Sequence, residues 1–304
     1  MSVVEVPPDR ELSGSPSMAV LFARAGLSMI PGAARLPWVG GGGGEVPPGA
    51  LTRSQVRVDR GRLADYDRVC GFDVSDVLPA TYPHMLAFPM QLALMTSAAF
   101  PVAAIGLVHI ANRIVAHRPI EAGEALDLRV WATPLYPHPR GRQFMLRSEV
   151  RVGDELVWEE ASTNLARGRR DDSVEAPPGP PDSAALPAAA QWRLPGDLGR
   201  RYGAVSGDMN PIHVHPLSAR LFGFPTAIAH GMWTKARCLA QLGPELAGRG
   251  VESVAVEVAF KRPILLPAKV AFAEGPTDTG GEIAFGVRDA REDTPHLDGL
   301  ITPA

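Results

Sequence analysis

The 304-residue sequence has few cysteines, no excess of basic residues and no apolar run that reads as a membrane span. Cys70 and Cys238 form no CxxC motif, so we expect two reduced thiols in a soluble, cytoplasmic protein; a single disulfide between them is the alternative. The net charge of −3 supplies no surplus of cations for phosphates and argues against a nucleic-acid partner. The N-terminus lacks a basic region followed by an apolar stretch, which predicts no secretory signal.

Clusters of glycine and proline divide the chain. Residues 1–50 are predicted to be a lead segment that holds a short amphipathic helix and a run of five glycines, Gly40 to Gly44. The run lacks the GxxxxGK[ST] pattern of a phosphate loop and is typical of a linker. A second linker, rich in proline and alanine, is predicted over residues 169–190. These linkers predict two domains, at residues 51–168 and 191–304.

The two predicted domains share three sequence anchors in the same order, which indicates a tandem duplication. The paired anchors are the Tyr-to-Gly spacings 66–71 and 202–207, the segments 87–90 and 229–232, and the segments 117–120 and 261–264. Each repeat is predicted to contain a short strand, a short helix, one long central helix and several strands. The central helices are expected at about 90–100 and 231–242. The later strands are expected at about 106–116, 125–134, 143–152 and 155–166, and at about 252–261, 268–274 and 281–288.

One long helix against a sheet is an α+β arrangement. The strands do not alternate with helices and no GxGxxG motif follows a strand, which disfavours a dinucleotide-binding fold. The predicted fold class is therefore α+β.

Polar residues are concentrated at the start of the second repeat. Asp208, Asn210 and His213 fall within six residues, and Pro211 biases Asn210 away from helical angles, so we expect an irregular segment. A carboxylate and an imidazole there can share one water molecule, the minimum for adding or removing water by general acid–base catalysis. Gly231 is expected to begin the central helix, where its N–H can stabilise developing negative charge on a carbonyl.

The first repeat provides an internal comparison. On the anchors above, Phe72 replaces Asp208, Phe88 replaces His230, and Pro89, which has no N–H, replaces Gly231. We therefore expect the first repeat to be a non-catalytic partner that shapes a substrate tunnel.

The segment 202–232 resembles the signature of the MaoC-like (R)-specific enoyl-thioester hydratases, the hydratase 2 group, and the whole chain resembles their two-hotdog members. The resemblance implies a tandem hotdog fold, each domain a long central helix wrapped by an antiparallel sheet. It also implies 3-hydroxyacyl-thioester dehydratase activity, a hydro-lyase of fatty-acid metabolism. The family's catalytic Asp and His fall on Asp208 and His213, and its oxyanion glycine falls on Gly231. His215 is a departure, because many single-domain relatives carry Asp there.

The resemblance implies further roles. Asn210 and Ser206 are expected to orient the dyad or the substrate, and Lys261 and Arg262 are candidates for contacting carrier phosphates. The implied substrate is an acyl-CoA or acyl carrier protein thioester, with no cofactor, in a monomer or homodimer. The sequence leaves open which of Asp208 and His213 is the base.

Three alternatives remain at this point. His213 and His215, with Asp208 and His230, have ligand types and spacing that permit a Zn²⁺ or Fe²⁺ site, whereas the resemblance predicts none. A hotdog thioesterase would act on similar substrates but direct water at the carbonyl. A non-catalytic acyl-carrier binding subunit would bind the thioester without turnover.

Overall fold

The computed structural model describes residues 9–27, 41 and 43–303. The helices are α1 (Met18–Leu27), α2 (Arg60–Cys70), α3 (Tyr82–Met95), α4 (Leu198–Ser206), α5 (Pro211–Val214), α6 (Pro216–Leu221) and α7 (Gly231–Gly248). The strands are β1 (Arg10–Glu11), β2 (Leu51–Val56), β3 (Val108–Ala116), β4 (Leu126–Ala132), β5 (Tyr136–His138), β6 (Gly141–Val152), β7 (Glu155–Arg167), β8 (Ala188–Leu194), β9 (Val254–Phe260), β10 (Ala268–Pro276), β11 (Ile283–Asp289) and β12 (Pro295–Pro303). Within the described ranges, every helix is too short or too polar to cross a membrane.

The chain divides into two compact units. Unit 1 comprises residues 1–57, 84–109 and 124–176, and its strands run in the order β1-β2-β4-β6-β7, with β5 paired to β6. All of these pairs are antiparallel except the short β1–β2 pair. Helix α3 is joined to the sheet by a buried polar group, since Gln91 Nε2 donates to Ser148 Oγ at 3.0 Å and to Glu160 Oε2 at 2.9 Å.

Unit 2 comprises residues 58–83, 110–123 and 177–304. Its strands run in the order β3-β9-β12-β11-β10-β8 and are antiparallel throughout. Helix α7 packs against this sheet through Lys235, a fully buried lysine whose Nζ donates to Asn112 Oδ1 at 2.6 Å and to the Val256 carbonyl at 3.0 Å. These bonds satisfy a charge that would be costly to bury alone.

Two features of unit 2 occur twice, as the inferred duplication requires. Helices α2 and α4 both end at a glycine in the left-handed region, Gly71 at φ 85° and Gly207 at φ 82°. Glycine adopts this conformation without a Cβ penalty. In addition, the Leu78 N–H donates to Ile120 O at 2.9 Å, and the Ala229 N–H donates to Ile264 O at 3.0 Å.

The same hydrogen bonds correct one anchor of the sequence comparison. They pair Leu78, not Ala87, with Ala229, and the helix that follows begins at Tyr82 instead of about Met90. Phe88 and Pro89 therefore both lie inside α3 and are not the counterparts of His230 and Gly231. The sequence comparison aligned residues 87–90 with 229–232 because both segments are apolar. Apolar residues occur both at the start of a helix and in its interior, so this likeness does not fix the register.

Most predicted strands lie within a few residues of their expected positions, but β12 was missed. The expected irregular segment after Asp208 is also shorter than predicted, because residues 211–214 form a helical turn.

Much of the lead segment, including residues 1–8, 28–40 and Gly42, lies outside the described residues. Gly41 and Gly43 donate backbone hydrogen bonds to Phe100 and Pro101. In the second predicted linker, Ser183 is buried and donates to Asp298 Oδ1 at 2.6 Å.

Candidate active site

The segment after α4 is held by its own side chains. The Asp208 N–H donates to Ser206 Oγ at 3.1 Å, and the Asn210 N–H donates to Asp208 Oδ1 at 3.1 Å. Asn210 then caps α5 with an extended ψ of 127°, followed by Pro211 at the first helical position, as the proline predicts. Ser206 and Asn210 therefore contact the backbone that carries Asp208 and His213, which fixes where those two side chains project.

Asp208, His213 and His230 converge in unit 2. One ligand atom from each lies within 4.8 Å of the others, and the two imidazole rings stack with centroids 3.7 Å apart. Asp208 Oδ2 lies 3.7 Å from His230 Nε2, and the Asp208 side chain is one quarter exposed. The arrangement brings an accessible carboxylate to two buried imidazoles.

The hydrogen bonds of His213 determine which nitrogen carries its proton. Nδ1 lies 2.8 Å from the Ile228 carbonyl oxygen, which can only accept, so Nδ1–H is the donor. Nε2 of the neutral ring is then a free lone pair. Burial lowers the pKa of His213 below its ordinary value of 6.5, against the opposing effect of Asp208, so the ring is neutral at physiological pH. His213 is equipped to accept a proton at Nε2.

His230 is a site residue that sequence reasoning treated only as the neighbour of Gly231 or as a possible metal ligand. Its Nε2–H donates to the Asp208 carbonyl at 2.9 Å, and its Nδ1 is buried with no hydrogen-bond partner among the described residues. Burial and the adjacent His213 lower the pKa of His230 to about 3, so it stays neutral. The sequence signal for this role is a histidine directly before the glycine that begins the central helix.

Gly231 is the first residue of α7, as predicted, and His230 is its N-cap. The first N–H groups of a helix have no acceptor within the helix, and the helix dipole is positive there. A Cβ at Gly231 would lie 2.9 Å from Cε1 of Phe260, which is closer than carbon atoms pack. A side chain at residue 231 would therefore force the Phe260 ring or the helix start to move, which favours glycine.

Lys261 and Arg262 follow β9, and the structure gives Lys261 a partner within the chain. Its Nζ lies 3.1 Å from Oδ2 of Asp298, whose side chain is only 3% exposed. Arg262 is exposed, and its carbonyl lies 3.1 Å from Nδ1 of His296. Arg262 is thus the more available cation of the two.

His215, the fourth ligand of the metal alternative, does not join the cluster. It is exposed, and its Nδ1 accepts from the Leu217 N–H at 3.1 Å, which caps α6. The cluster of possible metal ligands contains only Asp208, His213 and His230 among the residues that the structure describes. In each of the two imidazoles one nitrogen is hydrogen-bonded to a carbonyl group, so each ring could offer only its other nitrogen to a metal.

Comparison with known proteins gives consistent matches. Residues 191–279 match the model of the MaoC like domain. The 3-hydroxyacyl-thioester dehydratase X of Mycobacterium tuberculosis is 37% identical over 258 residues, which cover 84% of this chain and 90% of that protein. An (R)-specific enoyl-CoA hydratase of Aeromonas caviae is 32% identical over 69 residues, which cover 23% of this chain and 52% of that protein.

A solved structure extends the likeness to the fold. The crystal structure of HtdX from Mycobacterium tuberculosis matches with a TM-score of 0.72 at 34% identity, and the match covers 84% of this chain and all of that one. The predicted α+β tandem hotdog architecture is thereby confirmed, as is the resemblance drawn from residues 202–232. The chain belongs to the MaoC-like dehydratase family.

Proposed function

We propose that the protein is a hydro-lyase that reversibly hydrates trans-2-enoyl thioesters to (R)-3-hydroxyacyl thioesters, as part of fatty-acid metabolism. The observation that carries the proposal is the convergence of Asp208, His213 and His230 within 4.8 Å, close in the chain to the helix start at Gly231. The relatives named as a 3-hydroxyacyl-thioester dehydratase and an (R)-specific enoyl-CoA hydratase support it.

The spacing of the cluster suits one water molecule. A water that hydrogen-bonds to two groups at about 2.8 Å, with a near-tetrahedral angle, holds their atoms about 4.6 Å apart. The ligand atoms of Asp208 and His213 fall within 4.8 Å of each other. In this proposal Asp208 accepts one O–H of the water, and His213 Nε2 accepts the other.

Hydration then proceeds with His213 as the base. His213 Nε2 takes one proton of the water as its oxygen bonds to C3 of the enoyl group, and the C2=C3 electrons move toward the thioester oxygen. Protonated His213, whose pKa is lowered by burial, gives up a proton readily, and C2 accepts it. The water has then been added across the double bond as OH on C3 and H on C2. Dehydration is the reverse.

Gly231 stabilises the charge that develops during this step. We propose that its N–H donates to the thioester oxygen, where the positive end of the α7 dipole favours the enolate. Ser206 and Asn210 act as positioning residues, because they bond to the backbone of the segment from Asp208 to Ile212. Arg262 would contact carrier phosphates, and Lys261, which is ion-paired with Asp298, would assist it.

We also retain the sequence-derived division of labour as a proposal: residues 191–304 form the catalytic repeat and residues 51–168 the non-catalytic one. We propose that no metal or other cofactor takes part. Cys70 and Cys238 are both free thiols, which agrees with a reducing compartment, so we propose a cytoplasmic location.

The test follows the loss of enoyl absorbance when the purified protein is mixed with crotonyl-CoA. We expect loss in the wild type that is insensitive to a chelator and falls by about 10²–10⁴-fold in His213→Asn. Release of free CoA thiol without hydration would indicate a thioesterase. Activity removed by the chelator would restore the metal alternative.

His215→Asn is the matched control. It makes the same chemical change two residues along the chain, at an exposed ring outside the cluster, and asparagine preserves the N-cap of α6. We expect His215→Asn to keep activity within about twofold of wild type. Equal losses in both variants would mean that His213 has no special part in the reaction.

A further inference from the structure

An exposed apolar surface lies on the outside of the loop that holds the catalytic pair. Leu217 and Leu221 of α6 are 63% and 83% exposed, and Leu265 is 40% exposed. Arg220 Nε donates to Pro225 O at 3.2 Å, and Thr226 Oγ1 donates to Leu266 O at 3.0 Å, so α6 and the segment around Leu265 are adjacent. We call Leu217, Arg220, Leu221, Arg262 and Leu265 the α6 surface.

The segments that form the α6 surface carry no carboxylates. The sequence has no Asp or Glu between Asp208 and Glu245, and none between Glu257 and Glu274, although the whole chain has a net charge of −3. Arg220 and Arg262 are exposed there. On its own segments the α6 surface therefore carries two arginines, three exposed leucines and no carboxylate, in a chain that is acidic overall, and this favours an acidic partner.

The α6 surface is directly connected to the proposed catalytic pair. Helix α6 lies in the chain between His213 and Ile228, whose carbonyl oxygen accepts the His213 Nδ1–H. Ser218 Oγ donates to the Pro211 carbonyl at 2.7 Å, which ties α6 to the helical turn that bears His213. A partner bound to α6 would therefore sit at the rim of the catalytic loop.

We propose that the α6 surface docks an acidic acyl carrier protein, so that the natural substrate is a protein-bound thioester. The proposal rests on the function proposed above. The phosphates of CoA would satisfy the arginines, but three exposed leucines gain stability only against another apolar surface. A small acidic protein that presents apolar side chains meets both requirements.

The experiment compares one acyl group on two carriers. Crotonyl-CoA and crotonyl acyl carrier protein, prepared from a type II fatty-acid-synthase carrier, are hydrated by wild type and by Leu221→Glu. We expect the ratio of kcat/KM for the carrier-protein substrate to that for the CoA substrate to fall by about tenfold in the variant. Added salt should also weaken the binding of the carrier protein to the wild type, since the attraction is between exposed charges. A ratio that does not change in the variant would overturn the proposal.

Val74→Glu is the matched control, because Val74 is an exposed apolar residue (57%) that lies outside the α6 surface, beside Asp73. We expect this variant to leave the ratio unchanged, and an equal fall would overturn the proposal. Light scattering of wild type and Leu221→Glu checks for a second copy: a dimer that the variant converts to monomers would assign the surface to self-association instead.

Direct binding separates this proposal from the proposed function. Titration of the holo carrier protein into wild type and Leu221→Glu, followed by calorimetry, reports docking even if neither thioester is hydrated. Binding to wild type that is weakened about tenfold in the variant supports docking whatever the reaction is. No heat of binding with wild type would overturn the docking proposal and leave the hydratase proposal standing if crotonyl-CoA is consumed.

Discussion

Replacing Gly231 by alanine tests the oxyanion role through a clash that the structure defines. The new Cβ would lie 2.9 Å from Cε1 of Phe260 and 3.1 Å from its Cδ1 and Cζ. Carbon atoms in contact prefer about 3.5–4.0 Å, so the Phe260 ring or the helix start must move by about 0.6 Å or more. The Gly231 N–H moves with the helix start.

The expected loss follows from that displacement. Removing one oxyanion donor costs about 10²–10³-fold in kcat, and a partial misalignment should approach the lower figure. We expect Gly231→Ala to reduce kcat for crotonyl-CoA by about 10²-fold, with a smaller effect on KM. Alanine has a higher helix propensity than glycine, which offsets part of the cost of the clash. The melting temperature of Gly231→Ala should therefore stay close to that of the wild type.

A second variant makes the reasoning refutable. Phe260→Leu removes the ring atoms that the new Cβ meets, so Gly231→Ala/Phe260→Leu should recover a large part of the lost kcat relative to Gly231→Ala. Phe260→Leu alone measures any direct effect of the ring on the substrate. Wild-type kcat in Gly231→Ala, or a double variant no better than Gly231→Ala, would refute the account of this residue.

Three further predictions concern buried titratable groups of unit 2. The proposed base must be neutral and burial lowers the pKa of His213, so the acid limb of the kcat/KM profile should lie below pH 6.5; an acid limb above that value would contradict the neutral-base mechanism. Lys235→Met removes the Nζ that donates to Asn112 Oδ1 and to the Val256 carbonyl, so α7 loses these buried hydrogen bonds to the sheet. We expect a loss of about 2–4 kcal/mol in the free energy of unfolding, measured by chemical denaturation, and no change would contradict the bonding. Asp67 is fully buried, which raises its pKa to about 6. Its folded-state pKa therefore exceeds the unfolded value, so the cost of ionisation is absent below about pH 4 and complete above about pH 6. Asp67→Asn should stabilise the protein by about 1–3 kcal/mol near neutral pH but not at about pH 4, and a gain independent of pH would contradict this reasoning.

The sequence predicted those parts of the site that depend on local chemistry. Pro211 predicted non-helical angles at Asn210, which has ψ 127°, and Gly231 was placed correctly at the start of α7. The first prediction rests on a steric rule that acts between neighbouring residues. Asp208 and His213 were singled out because an acid and an imidazole fall within six residues and because the segment resembles the family's signature.

The missed features depend on contacts between distant segments. His230 joins the cluster through a hydrogen bond to the Asp208 carbonyl, 22 residues away, and its buried Nδ1 has no signature in a sequence. The start of α3 was misplaced because apolar residues continue from Tyr82 through Met95, so hydrophobicity does not mark where the helix begins. The backbone bond from Leu78 to Ile120, matched by the bond from Ala229 to Ile264, shows which residues of the two repeats correspond.

The ion pair of Lys261 with Asp298 could not be foreseen for a similar reason. Lys261 lies directly after β9, and Asp298 lies on β12. The antiparallel register that brings them together is set by strand pairing over the whole sheet. Strand β12 was itself absent from the prediction. Without it, Lys261 read as an unpaired charge that was free to bind a carrier phosphate.

The stereochemistry of hydration tests the central claim most directly. Crotonyl-CoA is incubated with wild type and with Asp208→Asn, and the 3-hydroxybutyryl product is resolved on a chiral column. The account predicts (R)-3-hydroxybutyryl-CoA from wild type, with formation slowed by about 10²-fold or more in Asp208→Asn. The (S) product, or equal rates from the two proteins, would contradict the claim that Asp208 and His213 direct water to one face of the enoyl thioester.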